Sequence, residues 1–159
     1  MAKIMVVGFK GTSFGSWVIR KGTFGEYSHV EWLHDINAMT GFGAFHKNGG
    51  VQYTGPHLHN KGTPYVVWEI ECLQRQYDKF AEFSLAQKGK SYDWKGILGF
   101  PTFKDRNSAD KWFCSELLTA ACQLAGIRLF NWTETQPGVT SPNRFVLSPL
   151  LNKIKEGKT

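Results

Sequence analysis

The sequence predicts an α/β domain of the α+β kind, in which a small antiparallel sheet packs against helices. Three observations favour this class: short apolar or alternating segments in the first half, longer helical segments in the second half, and a length of 159 residues that fits one domain. We find neither a repeat nor a linker, so we expect residues 1–159 to form a single domain.

Five segments have the composition of β-strands. The first is rich in Ile, Val and Met, and the second alternates so that Tyr27, His29, Glu31 and Leu33 share one face. The run Asn48-Gly49-Gly50 is a hairpin signal between the third and fourth strands. The predicted strands cover residues 3–9, 27–34, 41–45, 51–53 and 64–70.

The helical segments are recognised by their apolar periodicity and by the residues at their ends. Ser13 is the expected cap of the first, with Trp17 and Ile19 facing inward, and Gly126 is the expected cap after the last of the long ones. Pro149 marks the start of a further expected helix near the C-terminus. The other predicted helices cover residues 13–21, 73–88, 91–100 and 112–125.

Composition limits the partners and the compartment. Nineteen basic and 13 acidic residues give a net charge of +6, which favours anionic partners such as cell-wall polymer, nucleic acid or lipid head groups, with an anionic polymer or a peptide such as peptidoglycan as the candidate substrate. We find no specific nucleic-acid-binding motif. The apolar run at the N-terminus stops at Gly8, too early for a signal peptide or a membrane span, so we expect cytoplasmic synthesis.

The three cysteines differ in their surroundings. An odd number leaves at least one thiol free, which argues against a disulfide framework. Cys114 follows a polar loop and precedes an apolar helical run, so it should lie near a helix N-terminus, where the dipole and free N–H groups stabilise a thiolate and a developing oxyanion. Cys122, in the helix body, and Cys72, at a strand end, are predicted to be structural.

His29 is the candidate base for Cys114, since a strand holds its ring rigidly. A thiol nucleophile needs an imidazole to take its proton and a third polar group to fix that ring. Two residues are candidates for this third role. Glu31 shares the strand face of His29, whereas His46 follows the next strand, which is expected to pair with the first.

The remaining histidines give no metal motif. His57 and His59 lie in a predicted loop without Cys, Asp or Glu at matching ligand spacing. The sequence therefore predicts no metal site, and it contains no cofactor-binding motif.

Four motifs carry a resemblance to a known family. Ser28-His29-Val30-Glu31, Asn48-Gly49-Gly50-Val51, Tyr92-Asp93-Trp94-Lys95-Gly96 and Trp112-Phe113-Cys114-Ser115-Glu116-Leu117 resemble the circularly permuted papain-fold branch of the NlpC/P60 superfamily. This is the YiiX/YaeF-like group, which includes small phage-encoded members. The histidine precedes the cysteine, which is the permuted order. The resemblance covers about residues 25–150.

The resemblance implies a papain-like fold and a cysteine peptidase or amidase. Family activities are cleavage of amide bonds in peptidoglycan peptides and cleavage or transfer of acyl groups in lipid-processing relatives. The resemblance also implies phage virion proteins as candidate partners, with a virion-associated location. Two other interpretations stay open: a non-catalytic structural or binding module, such as a phage tail component, and an acyltransferase on lipid-like substrates.

Overall fold

A six-stranded antiparallel sheet forms the centre of the molecule. The computed structural model describes residues 1–46, 49–94, 110–130 and 137–159. In spatial order the strands are β4, β3, β2, β1, β5 and β8. Their bounds are Ala2–Phe9 (β1), His29–Asp35 (β2), Thr40–Phe45 (β3), Gly50–Thr54 (β4), Pro64–Cys72 (β5) and Asn152–Lys158 (β8). A separate parallel pair joins Ser91–Tyr92 (β6) to Lys111–Trp112 (β7).

Four α-helices are present in the part of the chain that the structure describes. They span Phe14–Gly22 (α1), Gln74–Ala86 (α2), Cys114–Leu124 (α3) and Pro142–Val146 (α4), and two short 3-10 turns occupy Pro56–Leu58 and Pro137–Val139. None of these described helices is both long and apolar enough to cross a membrane. The mixed α+β architecture with an antiparallel sheet packed against helices confirms the predicted fold class.

The two faces of the sheet bury different sets of side chains, as the alternation of strand residues requires. One face packs against α2 and α3 through Val30, Trp32 and Phe42, which meet Phe80 and Leu117. The opposite face carries a smaller apolar cluster that includes Val7, Phe9, Leu33, Tyr65 and Val67. His29 and Glu31 alternate with Val30 and Trp32, so they belong to the side of this smaller cluster.

Two predicted helices contain strand residues where the structure describes them. Ser91 and Tyr92 pair with β7 instead of starting a helix, and residues 95–100 of that prediction lie outside the described residues. After Pro149 the chain forms β8, because β5 has an open edge whose N–H and C=O groups need partners. The helix with Pro at its first position lies earlier, where Ser141 Oγ accepts from the Arg144 N–H at 3.2 Å.

The other predicted helices and strands differ from the observed ones mainly at their ends. Ser13 caps α1 as expected, but Trp17 is 48% exposed instead of facing inward. Lys111 and Trp112 form β7, so the long helix begins two residues later, at Cys114. The hairpin residue Asn48 lies outside the described residues.

Candidate active site

Cys114 is the first residue of α3. Phe113 precedes the helix in an extended conformation, and its N–H donates to the Glu116 carboxylate at 3.2 Å, which ties the first turn to the preceding strand. The first N–H groups of a helix have no acceptor within the helix and carry the positive end of its dipole. A negative charge at the Cys114 sulfur, or on a substrate oxygen beside it, is therefore stabilised here.

His29 opens β2, and its ring is held on several sides. Its Nε2 lies 3.2 Å from Glu31 Oε2, and the ring meets Phe45 edge-on with the ring centres 4.8 Å apart. The Ser28 hydroxyl beside it accepts from the Gly11 N–H at 3.0 Å, which fixes the start of the strand. His29 is 8% exposed, so its orientation is set by these contacts and not by solvent.

Cys114 and Glu31 both act on the charge state of His29. Burial is the largest single influence on His29 and disfavours its charged form. The charge of Cys114 and a hydrogen bond to it act in the opposite direction, together with the hydrogen bond and charge of Glu31, and they raise the pKa of His29 to about 10. The ring is therefore an imidazolium at neutral pH, in contact with the Glu31 carboxylate.

The carboxylate of Glu31 lies against a glycine-bearing part of β3. Glu31 is fully buried. A Cβ on Gly43 would lie 3.0 Å from the Glu31 Cβ, and one on Gly41 would lie 3.4 Å from Oε1 and 2.5 Å from the Trp32 carbonyl oxygen. The absence of side chains at these two positions lets β3 approach the backbone of β2 and the Cβ of Glu31 closely.

The two candidates for the group that orients the His29 ring, Glu31 and His46, lie in different places. Glu31 makes the contact with His29 Nε2, whereas His46 is exposed and stacks on Phe45, with Tyr92 and Trp94 nearby. His29 and Glu31 are therefore in contact, Cys114 acts on the charge state of His29, and His46 lies to one side against Phe45. Their catalytic roles stay predictions.

The other two cysteines are also buried, in apolar surroundings. Cys122 lies in the body of α3, where burial and the charge of Cys72 raise its pKa. Cys72 ends β5, and burial raises its pKa as well. Burial therefore disfavours the thiolate form of both cysteines.

An apolar cavity opens beside His29. Its volume is about 410 Å³, which is in the range of small-molecule sites. Tyr92 lines the same cavity, and its hydroxyl has a pKa raised by burial and by the charges of Cys114 and Asp93, so it stays protonated as a hydrogen-bond donor. Most of the wall is apolar, from Phe9, Phe14, Val18, Ile19, Phe45 and Trp94.

Asn143 is a positioning residue that sequence analysis did not select. Its side chain accepts from the Tyr27 N–H at 2.7 Å and donates to the Tyr27 carbonyl at 2.9 Å. It therefore pairs with the backbone two residues before His29 as a neighbouring strand would. The residue lies on α4, which sequence analysis did not predict, so no local pattern pointed to it.

His59, which sequence analysis set aside for lack of ligands at matching spacing, lies close to the candidate site. Its ring stacks on Phe9 with centres 3.6 Å apart, and its ligand nitrogen lies in one group with those of His29 and Glu31, all within 4.8 Å of one another. Ligand spacing along the chain could not reveal this group, because the loop carrying His59 reaches β2 only through the folded sheet. Among the described residues, these three could hold a metal ion.

Comparison with known proteins gives a fold relative and no family assignment. No family model matches the sequence, and no curated protein matches it significantly. The crystal structure of the metalloprotein YiiX from Escherichia coli O157:H7, designated DUF1105, matches with a TM-score of 0.65 at 22% identity, covering 98% of this chain and 97% of that one. The two proteins share a fold, which agrees with the YiiX-like resemblance. Membership of the permuted NlpC/P60 superfamily stays a prediction.

Proposed function

We propose that this chain is a cysteine hydrolase that cleaves an amide or ester bond through an acyl-enzyme on Cys114. The observation that carries the proposal is the position of His29, which interacts with the Cys114 thiol and with the buried carboxylate of Glu31. A nucleophile, a base and a group that orients the base are the parts that this chemistry requires.

The mechanism follows from these positions. The Cys114 thiolate attacks the substrate carbonyl, a C–S bond forms, and N–H groups at the start of α3 hold the oxyanion. The His29 imidazolium gives its proton to the leaving amine or alcohol as the C–N or C–O bond breaks. Water then attacks the thioester and passes a proton to His29, and release of the acid regenerates the thiolate. Glu31 holds the ring and stabilises its positive charge throughout.

The cavity supports an apolar acyl group as the substrate class. Its walls are mainly aromatic and aliphatic side chains, and His29 is part of the lining. Peptidoglycan peptides are rich in carboxylates and amines, which such a wall cannot satisfy. We therefore favour an amide or ester with an apolar acyl chain over the cell-wall peptide that the resemblance also implies.

Acyl transfer is the second candidate. Cys114 is only 2% exposed, so water reaches the thioester less readily than in an open cleft. An amine or alcohol acceptor that binds in the cavity would then compete with water. Product that depends on an added acceptor would distinguish transfer from hydrolysis.

The proposal is tested with p-nitrophenyl esters and N-acyl amides of increasing chain length. Each buried CH₂ is worth about 0.8 kcal/mol, so kcat/KM should rise about fourfold per carbon until the cavity is full. Val18 lies in the cavity wall, and Val18→Asp should abolish this dependence on chain length. Trp17, the residue before it on α1, is not in the wall, and Trp17→Asp should preserve the dependence. Turnover that persists in Cys114→Ala, or no thioester by intact mass, would refute the proposal.

A further inference from the structure

We propose that His29, Glu31 and His59 form a binding site for a divalent transition-metal ion, with Zn²⁺ as the preferred probe. Two of the residues lie on β2, and the third ends the Pro56–Leu58 turn. Their ligand atoms lie within 4.8 Å of one another. Binding of the metal does not depend on the hydrolase activity; only its consequence for Cys114 rests on that proposed function.

The existing geometry matches part of a zinc site. With bonds of about 2.0–2.1 Å, neighbouring ligands around tetrahedral zinc are about 3.3 Å apart. His29 Nε2 and Glu31 Oε2 already lie 3.2 Å apart. Two histidines and one glutamate are a ligand set that zinc enzymes use, with the fourth position left open. The ring of His59 would complete the set by a side-chain movement at the end of a short turn.

Glu31 provides an independent reason to expect a cation. Its second carboxylate oxygen, Oε1, is buried and has no hydrogen-bond partner within residues 1–46, 49–94, 110–130 and 137–159. A carboxylate has about four acceptor positions, and leaving a buried one unsatisfied is costly. A metal ion would supply the missing positive partner at the same carboxylate.

An occupied site would compete with the thiol chemistry. A ring that binds metal through Nε2 keeps its proton on Nδ1 and has no lone pair left to accept the thiol proton. The metal would also replace the contact between His29 and Glu31. Zinc should therefore act as a reversible inhibitor that removes the base, and it should do so without a bond to sulfur.

Calorimetric titration of the metal-free chain with ZnCl₂ tests the site. We expect one Zn²⁺ per chain, with affinity at least about tenfold weaker in His59→Gln. His57→Gln is the matched control, because His57 lies two residues away in the same turn and is exposed; its affinity should equal that of the unchanged chain. Cys114→Ser should also retain binding. No stoichiometric binding, an equal loss in His57→Gln, or a loss in Cys114→Ser would overturn the proposal.

Alkylation of Cys114 by iodoacetamide gives a second readout. Zinc should slow the reaction relative to EDTA in the unchanged chain, and the ratio of the two rates should approach one in His59→Gln. If zinc slows the reaction equally in both, the inhibitory metal is not held by His59 and the proposal is wrong. If Cys114 proves unreactive even in EDTA, the hydrolase proposal fails, while calorimetry still decides the metal site.

Discussion

Glu31 Oε2 meets His29 Nε2 at 3.2 Å although the two residues lie on the same strand, two positions apart. Their Cα atoms are separated by about 6.5 Å in a strand, so the contact requires the side chains to lean towards each other along the strand. Gly41 and Gly43 on β3 let that strand approach β2 closely beside Glu31. The surroundings of the contact therefore include two glycines that the sequence of β2 does not reveal.

Substitution Glu31→Gln should lower the pKa of His29. The side chain of glutamine keeps a hydrogen-bond acceptor but loses the negative charge that favours the imidazolium. An NMR titration of the ring should therefore show a lower midpoint in Glu31→Gln than in the unchanged protein, where Cys114 and Glu31 raise the pKa of His29 to about 10. The matched change His46→Gln should leave the midpoint in place. A shift in His46→Gln and none in Glu31→Gln would make His46 the orienting group.

Substitution Cys114→Ser should lower the pKa of His29 further than Glu31→Gln does. The charge of Cys114 and its hydrogen bond outrank those of Glu31 among the influences that raise this pKa. Serine stays neutral across the titration range, so the burial of the ring then acts with less opposition. The same NMR titration measures the change, and an unaltered midpoint would mean that the thiol and the ring do not interact in solution.

Substitution Gly41→Ala should destabilise the protein by about 1–3 kcal/mol. The new Cβ would lie 2.5 Å from the Trp32 carbonyl oxygen, which is backbone and cannot move without disturbing the pairing of β2 with β3. Gly15→Ala is the control, because open space surrounds Gly15 on α1, and it should be neutral or stabilising by up to about 1 kcal/mol. Urea unfolding compares the two; equal effects would contradict the packing argument.

Substitution Asn143→Ala should cost about 1–3 kcal/mol in the free energy of unfolding, because it leaves the Tyr27 N–H and carbonyl without their partner. Asn143→Asp keeps the hydrogen-bond acceptor but not the donor, so its loss in the free energy of unfolding should lie between zero and the loss in Asn143→Ala. Asn37→Ala, in an exposed turn, should change stability by less than about 0.5 kcal/mol. If urea unfolding gives Asn143→Ala the same stability as Asn37→Ala, the two hydrogen bonds from Asn143 to the Tyr27 backbone do not stabilise the fold.

Local patterns account for the parts of the fold that were predicted correctly. Strand alternation around His29 and the apolar periodicity of α2 and α3 are properties of adjacent residues, and they specified the antiparallel sheet and its helices. The strand β8 was missed because its reason lies in the open edge of β5, far along the chain. Ser91 and Tyr92 were assigned to a helix for the same reason, since their partner is β7.

The residues of the candidate site also differ in whether local sequence or tertiary contacts identify them. Cys114, His29 and Glu31 were selected by helix position, strand position and shared face, and the structure brings them together. His59 was set aside because its loop contains no nearby ligand in sequence, and only the folded sheet brings it beside β2. Side chains that meet through tertiary contacts alone are not visible to periodicity or spacing.

The most direct test of the central claim is the rate at which each cysteine reacts with iodoacetamide in the folded, metal-free protein, measured at several pH values by intact mass with the modified residue mapped. Cys114 should be modified before Cys72 and Cys122, because it faces an imidazolium and a helix N-terminus, whereas burial raises the pKa of the other two thiols. His29→Gln should slow modification of Cys114 near neutral pH. Faster labelling of Cys72 or Cys122, or a Cys114 rate unchanged by His29→Gln, would contradict a Cys114–His29 nucleophilic pair.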